Sequence, residues 1–354
     1  MNKPDKCFAL ILAGGKGKRL WPISTKDIPK QYLPLYSKNI MVNETINRIK
    51  DLINYNNIFI ITNIEQKDLA EKCIDKHIPR KNIIYEPMEK NTAMCIFYAS
   101  IKILKEKGDG IIAILSSDHY INPINKFKDA LSDGILLANR YESLVTVGIK
   151  PTYPSTGFGY IKYYYNKNLM CNEVESFKEK PVLEKAVQYY ESNEYYWNSG
   201  IFIWKLSTIM NNYKKYLAEI YKYKEKIESN IENEEKIKKI YEKVPNMSID
   251  KGILEKATNI KMVVGEFEWM DIGNINDFFK IQKNRKKDKI LKRMTKNCDI
   301  YSDDRESLIV LIGTDNLNVI KNNNVILIAN KEKMQELPEV EKEIDNNDGL
   351  KKYL

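Results

Sequence analysis

The chain has 354 residues, with 57 lysines and arginines against 48 acidic residues, and a formal net charge of +9 at pH 7. This length suits one large domain with a small appendage, or two domains. The five cysteines form no CxxC pair, which argues against a disulfide framework and favours the reducing cytoplasm. No stretch approaches the roughly 18 apolar residues of a membrane-spanning helix, so we expect no membrane partner.

The first predicted element is a buried strand over residues 8–13 that runs into a glycine-rich turn. Gly14, Gly15 and Gly17 let bare backbone N–H groups approach a ligand. The cations beside this turn are Lys16, Lys18, Arg19 and, one loop later, Lys30. The spacing fits neither a dinucleotide-binding fingerprint nor a P-loop, because Leu20 replaces the third glycine and no Gly-Lys-Ser/Thr motif closes the turn. The pattern favours a polyphosphate-binding turn, although glycine turns after strands are common.

Helical and β-rich segments alternate after this turn. Helical spacing is found at residues 44–53 and 67–76, and β-rich runs are found at 58–62 and 83–85. Such alternation predicts a parallel sheet with helices on both faces.

A longer amphipathic helix is predicted to end at Gly108, with Asn91 or Thr92 as its N-cap. A core position explains the apolar residues of this helix. It does not explain the polar run Asn91-Thr92-Ala93 or Glu86 just before it.

Polar side chains follow two predicted strands. The strand over residues 111–115 leads into Ser116, Ser117, Asp118 and His119, and the strand over 261–267 leads to Asp271. In open α/β sheets ligands bind beyond the carboxyl ends of strands, and an aspartate there can hold Mg²⁺. The alternative is that Asp118 only caps a turn. We assign His119 a positioning role. Asp118 and Asp271 could share one ion only if the fold brings both strand ends together.

Three later segments place polar residues beside turns or strand ends. Gly159 lies in a loop that can approach a ligand, Glu179 and Lys180 end a strand, and Asn198 precedes a β-rich run. The alternative for Glu179 and Lys180 is a surface ion pair, which contributes little stability. Residues 206–244 read as solvated helices, in which glutamates alternate with the lysines, and this argues against a nucleic-acid surface.

The C-terminal part is predicted to be a small β module. Residues 284–296 are basic and read as a linker, and short β-rich runs follow at 307–312, 317–320 and 325–329. We therefore predict one domain over residues 1–285 and a β-rich module over 286–354.

Two runs, Arg19-Leu20-Trp21-Pro22 and Pro29-Lys30-Gln31, resemble the signature of the sugar-1-phosphate nucleotidyltransferases, and specifically the mannose-1-phosphate guanylyltransferase branch. Further runs that resemble the family lie at residues 86–93, 156–161, 179–181, 197–202 and 248–257. The resemblance implies an α/β fold with a Rossmann-like, mostly parallel sheet and helices on both faces. It also implies a C-terminal β module in the left-handed β-helix style. Assembly into a homodimer is left open.

The activity that the resemblance implies is transfer of GMP from GTP to mannose 1-phosphate, with Mg²⁺ as cofactor and GDP-mannose and pyrophosphate as products. The implied catalytic residues are Arg19, Lys30, Asp118, Lys180 and Asp271, of which Asp118 and Asp271 would hold the metal. The implied nucleotide-binding residues are Leu12, Ala13, Gly14, Gly15, Gly17, Lys18, Glu86, Asn91, Thr92, Ala93 and Ser117. The implied sugar-phosphate-binding residues are Gly159, Glu179, Lys180 and Asn198.

Two other functions stay open at this point. One is a related transferase that uses another base or sugar. The other is a non-catalytic relative that binds a nucleotide sugar and regulates a partner. A degenerate copy would be expected to lack a metal carboxylate or a signature cation, whereas all of them are present here. A nucleic-acid partner rests on the net charge alone, and we do not expect one.

Overall fold

The computed structural model describes residues 6–15, 17–282, 289–304 and 306–354, except for the side chain of Lys18. The strands are β1 (Cys7–Leu12), β2 (Ile58–Asn63), β3 (Ile83–Glu86), β4 (Ile111–Ser116), β5 (His119–Asn122), β6 (Leu144–Ile149), β7 (Tyr160–Asn166), β8 (Cys171–Lys178), β9 (Tyr195–Lys205), β10 (Ile260–Gly265), β11 (Glu268–Asp271), β12 (Ile290–Arg293), β13 (Asp299–Ser302), β14 (Ile309–Ile312), β15 (Leu317–Asn322) and β16 (Val325–Asn330). The α-helices are α1 (Met41–Ile49), α2 (Lys67–Cys73), α3 (Asn91–Lys107), α4 (Ile124–Tyr141), α5 (Leu183–Ser192), α6 (Leu206–Tyr216), α7 (Ala218–Tyr221), α8 (Lys224–Ser229), α9 (Glu234–Lys243), α10 (Ile275–Ile281) and α11 (Leu337–Asp345). Within the described ranges, none of these helices combines the length and the hydropathy of a membrane span.

The chain divides into two compact units, and neither is continuous in sequence. The first unit comprises Met1–Gly14, Thr45–Ser117 and Ile121–Trp269, and the second comprises Gly15–Glu44, Asp118–Tyr120 and Met270–Leu354. The domain boundary that we predicted at 285/286 falls in 283–288, outside the described residues, and it stays a prediction.

A nine-stranded sheet organises the first unit, in the order β3-β2-β1-β4-β9-β6-β10-β8-β7. Strands β1 to β4 pair in parallel, and β6 pairs with β10 in parallel. Strand β9 lies between β4 and β6 and runs antiparallel to both. The β7–β8 hairpin adds further antiparallel pairs. The α/β class is confirmed, and the sheet is mixed, because β8 and β9 run against the other strands.

Helices of the first unit pack on both faces of this sheet. Strand β9 shows this, because its successive side chains point to opposite faces of the sheet. Ile203 contacts α4 so closely that a Cβ on Gly134 would lie 2.7 Å from Ile203 Cδ1. The neighbouring side chains Phe202 and Trp204 belong instead to the apolar cluster that contains α3. Most side chains in the first three turns of α3 are buried. The strands are thus fixed from both sides, and this fixes the loops at their ends.

The core of the second unit joins the segment after Gly15 to α10 and α11. It contains Leu20, Trp21, Ile23, Leu35, Met41, Ile272, Ile275, Phe278, Phe279, Ile320 and Leu337. Several of these residues lie within a few positions of the predicted signature cations. The loop that bears those cations is therefore anchored by its apolar neighbours.

The C-terminal strands of the second unit pair in parallel with a constant offset. Ile290 pairs with Ile309, Lys296 with Asp315, and Asp299 with Asn318, an offset of 19 positions in each case. Strand β16 then pairs antiparallel with β15. The predicted β module is thus present, and its parallel part is built from coils of equal length.

Candidate active site

The glycine turn of the second unit is packed against Lys30. Gly17 has a φ of +63°, and an added Cβ would lie 3.1 Å from both the Cγ and the backbone N of Lys30. A side chain at this position would meet both strain and contact. The Ser24 hydroxyl donates to the Gly17 carbonyl at 2.7 Å, and the Gln31 amide Nε2 donates to the Gly15 carbonyl at 2.8 Å. Ser24 and Gln31 therefore tie Gly17 and Gly15 to the residues that follow them in the same unit.

The loop after the turn is tied to distant parts of the same unit. The buried Trp21 indole donates to the Tyr353 carbonyl at 2.7 Å, and the Lys26 backbone N–H donates to the Leu354 carbonyl at 2.6 Å. The Asn322 amide donates to the Pro22 carbonyl at 2.7 Å. Lys16 and the Lys18 side chain, both predicted phosphate contacts, lie outside the described residues.

Lys30 lies between the two aspartates that we predicted to hold a metal. Its Nζ is 2.6 Å from Asp118 Oδ2 and 3.2 Å from Asp271 Oδ1, and it also donates to the Ile272 carbonyl at 3.1 Å. We call Lys30, Asp118 and Asp271 the acid–lysine cluster. Only 8% of Lys30 is exposed. The fold thus brings the two strand ends together, and it adds an ion pair that the residues flanking each aspartate had not indicated.

The charge state of Lys30 follows from these neighbours. Burial lowers the pKa of its ammonium group, but Asp118 and Asp271 raise it by more, so the pKa lies above its usual range. Lys30 is therefore held as a cation whose charge is shared by two carboxylates. We had expected it to neutralise a triphosphate, whereas in this structure its partners are acidic side chains.

Three side chains of the second unit could ligate one metal ion. Asp118, His119 and Asp271 each offer a ligand atom, and these atoms lie within 4.8 Å of one another. His119, which is buried, had been assigned only a positioning role, and its place directly after Asp118 was the one signal in the sequence. Carboxylate oxygens are suitable ligands for Mg²⁺. The donor set fits a divalent cation, because two carboxylate oxygens and one imidazole nitrogen lie close enough together to share one ion.

Arg19 is exposed and lies beside the segment that follows Asp271. A Cβ on Gly273 would lie 3.4 Å from Arg19 Nη2. The guanidinium is thus near the acid–lysine cluster, in keeping with the predicted role of a signature cation.

In the first unit, the predicted nucleotide-binding residues lie at neighbouring strand ends. The Ser117 backbone N–H donates to the Leu12 carbonyl at 3.0 Å, and the Ala13 N–H donates to the Ile61 carbonyl at 2.8 Å. The buried Thr62 hydroxyl donates to the Ala13 carbonyl at 3.0 Å. The ends of β1 and β4 are therefore tied together by backbone contacts.

Glu86 is a buried carboxyl group that faces a glycine. The Tyr241 hydroxyl donates to Glu86 Oε1 at 3.0 Å, and an added Cβ on Gly14 would lie 3.8 Å from Glu86 Oε2. Burial raises the pKa of Glu86 to about 7, against the opposing effect of hydrogen bonds with Cys95 and Tyr241. Tyr241 was not predicted as a site residue, because it lies 155 positions away in a helix that reads as solvated.

The predicted run Asn91-Thr92-Ala93 forms the start of α3. The N-cap is Lys90, so the expected N-cap at Asn91 or Thr92 is wrong. The reason is that both side chains have other partners. Asn91 has a φ of +65° and accepts from its neighbour's N–H, and the Thr92 hydroxyl accepts from the Ile249 N–H at 2.9 Å. The helix start is therefore bound to the segment around residue 249.

The four predicted sugar-phosphate residues lie together in the first unit. Asn198 N–H donates to the Gly159 carbonyl at 2.8 Å, and a Cβ on Gly159 would lie 2.6 Å from Glu179 Oε2. Lys180 Nζ is 3.4 Å from Glu179 Oε1. The Lys180 side chain is mostly exposed, but only 9% of the Glu179 side chain is. This is not a simple surface ion pair, because the Glu179 side chain is buried.

Asp250 joins this group and was not predicted. Its Oδ1 accepts from Asn198 Nδ2 at 3.0 Å. Burial, and next to it the nearby charge of Glu179, raises the pKa of Asp250 to about 7. Burial raises the pKa of Glu179 as well, against the opposing effect of Lys180. We call Glu179 and Asp250 the carboxyl pair.

Comparison with known proteins gives one family and several relatives. A family model described as nucleotidyl transferase matches residues 8–288. A mannose-1-phosphate guanylyltransferase of Klebsiella pneumoniae is 31% identical over 344 residues, covering 93% of this chain and 72% of the relative. A mannose-1-phosphate guanylyltransferase of Salmonella typhimurium is 32% identical over 356 residues, covering 96% of this chain and 72% of the relative. A crystal structure from Thermus thermophilus, described as a mannose-1-phosphate geranyltransferase, superposes with a TM-score of 0.86 at 26% identity, over 96% of this chain and 99% of that one.

Proposed function

The chain belongs to the nucleotidyl transferase family, and on this premise we propose that it transfers GMP from GTP to mannose 1-phosphate. The products are GDP-mannose and pyrophosphate. The observation that carries the proposal is the acid–lysine cluster, in which two carboxylates and a buried ammonium group converge beside a glycine turn. The names of the guanylyltransferase relatives support the choice of base and sugar.

The reaction requires control of charge and geometry more than acid–base chemistry. The attacking oxygen belongs to a phosphate that is already anionic, so no strong general base is needed. It attacks the α-phosphorus of GTP in line, the bond to the β-phosphate oxygen breaks, and pyrophosphate leaves with the electron pair. The chain must therefore orient two anions and offset their charge. We assign Arg19 and the Gly15–Gly17 backbone to the triphosphate and Lys180 to the sugar phosphate.

We propose Mg²⁺ as the cofactor, held by Asp118 and Asp271. When bound, the ion would offset charge on the phosphate oxygens. His119 would orient this site, and Lys30 would keep the two carboxylates close together. The support is the convergence of the carboxylates on one cationic group and the match between their oxygens and a hard divalent ion.

The base preference is assigned to Glu86. A buried carboxylate offers only acceptors, and guanine presents two adjacent N–H donors on its Watson–Crick edge. Adenine has an acceptor at the ring position where guanine has a donor. Gly14, which has no side chain, lies beside Glu86 Oε2. We therefore expect GTP to be preferred over ATP.

A substrate panel tests the proposal. Pyrophosphate release is measured with GTP, ATP, UTP and dTTP, each combined with mannose 1-phosphate and glucose 1-phosphate. The highest kcat/KM is expected for GTP with mannose 1-phosphate. Faster release with UTP or dTTP and glucose 1-phosphate would assign the chain to another branch of the family. No release with any pair would favour a binding role without catalysis.

The C-terminal coils are part of the same proposal. We infer that the parallel pairs with the 19-residue offset form a left-handed β-helix. The constant offset supports regular coils. The hand of the coil is tested by an experimental structure of this chain, in which a right-handed turn would reject the inference.

A further inference from the structure

Asp250 holds one end of the Asn198 side chain. It begins a π-helical turn, Asp250–Leu254, and its Oδ1 accepts from Asn198 Nδ2 at 3.0 Å. The same segment is anchored by the Ile249 N–H, which donates to the Thr92 hydroxyl at 2.9 Å. The carboxyl group is therefore presented to Asn198 by a fixed piece of backbone.

The other end of the Asn198 amide is held by two donors. Its Oδ1 accepts from the fully buried Thr146 hydroxyl at 3.1 Å and from the Gly200 N–H at 3.3 Å. A hydroxyl can donate or accept, so Thr146 alone does not decide which way the amide points, but the Gly200 N–H only donates and therefore requires the oxygen on its side. Asp250 Oδ1 accepts from the NH₂ group at the opposite end of the amide. Asp250 and Gly200 together thus fix the orientation of Asn198, and the second N–H of the amide is fixed with it.

Glu179 supplies an acceptor in the same place. Its Oε2 is buried and has no hydrogen-bond partner in the described part of the chain, and Gly159 leaves open the space that a Cβ would fill. A buried carboxylate oxygen without a donor is unfavourable. A hydroxyl group of a ligand would relieve this. Asn198 and Glu179 together therefore offer one donor and one acceptor.

We propose that Asp250 is a positioning residue that sets the hydroxyl specificity of the sugar-phosphate site by fixing the Asn198 amide. This inference rests on the proposed function, because it assumes that the ligand is a sugar phosphate. Sugars that differ at one carbon place a hydroxyl differently, so a fixed donor beside a fixed acceptor distinguishes them. An amide that can reverse offers an acceptor in place of the donor, and the distinction is lost.

The experiment compares Asp250→Ala with Asp250→Asn. The alanine removes the acceptor, whereas the asparagine can keep an oxygen toward Asn198 Nδ2. We expect Asp250→Ala to raise the KM for the sugar phosphate about tenfold or more, with the KM for GTP changed less than about twofold. The ratio of kcat/KM for mannose 1-phosphate over glucose 1-phosphate should fall. Asp250→Asn should recover most of both effects.

Two controls separate positioning from general damage. Asp109→Ala is a matched variant in the same unit, since Asp109 accepts from the Gly110 and Ser207 N–H groups and belongs to no predicted site. It should leave both KM values unchanged. In the second control, Asn198→Ala combined with Asp250→Ala should behave like Asn198→Ala alone, because the two residues act as a unit. Thermal unfolding of each variant reports whether it folds.

The outcomes are decisive in either direction. An unchanged KM for the sugar phosphate in Asp250→Ala, or additive losses with Asn198→Ala, would overturn the proposal. So would an equal rise in both KM values. If Asp250→Ala does not fold, Asp250→Asn must still keep the sugar preference of the wild type. If the wild type prefers another sugar 1-phosphate, the substrate proposal fails, and Asp250 is then judged with the preferred sugar.

Discussion

The acid–lysine cluster and the carboxyl pair show two different ways of burying acidic groups. In the second unit, Asp118 and Asp271 share a buried ammonium group. In the first unit, the nearby cation of Glu179 and Asp250 is Lys180, whose side chain is mostly exposed; burial outweighs its charge, and the pKa of Asp250 rises to about 7. Carboxylates beside Lys30 are suited to binding a cation or lying beside phosphates. A carboxyl group whose pKa lies near 7 is suited to exchanging hydrogen bonds with hydroxyl groups.

The largest expected effect comes from removing charge from the acid–lysine cluster. Asp118→Asn and Asp271→Asn should each lower kcat by about 1,000-fold, because the pair is assigned to metal binding. The loss of kcat in the double variant should be much smaller than the product of the two single losses, since the effects of residues that act on one ion are not additive. Pyrophosphate release at increasing Mg²⁺ concentration measures both effects.

A matched control for the aspartate variants is Asp348→Asn. Asp348 lies in the same unit, is 95% exposed and pairs with Lys351, so its loss should leave the rate unchanged. Strictly additive losses in log rate for Asp118 and Asp271 would give them separate roles. In that case the two carboxylates would not form one metal site.

The next effect concerns stability. Lys30→Met leaves two carboxylates close together without their cation, and breaking a buried ion pair in this way costs about 3 kcal/mol. Added Mg²⁺ should raise the Tm of Lys30→Met by more than that of the wild type, because the ion can take the place of the ammonium group. Calorimetry with and without Mg²⁺ checks this.

Lys26→Met is the companion variant for Lys30→Met. Its ion pair with Asp345 is exposed and contributes little, so the Tm and its Mg²⁺ response should match the wild type. An equal Mg²⁺ response in Lys30→Met and the wild type would argue against a metal site at these carboxylates.

The smallest effect is expected for Glu86, a buried carboxyl group of the first unit. Its pKa rises from the ordinary value of 4.5 to about 7 on folding. Between these values the folded state keeps a proton that the unfolded state releases, so stability falls as the pH rises from 4.5 to 7. Glu86→Gln should remove this loss and gain about 2–3 kcal/mol over the wild type at pH 8. The gain should vanish at pH 4.5.

Urea unfolding of the wild type and Glu86→Gln across this pH range measures the difference. The glutamine variant should also lose its preference for GTP over ATP, since an amide offers guanine only one acceptor. A stability difference that is independent of pH would show that folding does not shift the pKa of Glu86.

The sequence located the strand ends better than it located their partners. Asp118 and Asp271 were expected beyond apolar strands because local pattern defines a strand and its end. The ion pair with Lys30 joins positions that are 241 residues apart in one case, and no local pattern carries such a contact. Asp250 was missed for the same reason, since its importance comes from Asn198 and not from its neighbours in sequence.

Strand direction was predicted correctly for only part of the fold. The alternation of helices and strands predicted parallel pairing, which holds for β1 to β4. Strand β9 is as apolar as a parallel strand but enters between β4 and β6 in the opposite direction. Apolar content reports burial on both faces and not direction. The 19-residue offset of the C-terminal coils was also missed, although Thr295 and Asn297 recur at this spacing as Thr314 and Asn316.

The hydrogen bonds around Trp21 have a consequence for the order of synthesis. The loop that bears Arg19 lies near the start of the chain, yet its partners are the carbonyls of Tyr353 and Leu354 and the amide of Asn322. Strands β1 to β4 can pair as soon as about 120 residues have left the ribosome, since domains form as their chain emerges. The loop that bears Arg19 must wait for more than 200 further residues. A nascent chain therefore acquires the parallel strands β1 to β4 first and the contacts that hold the Arg19 loop last.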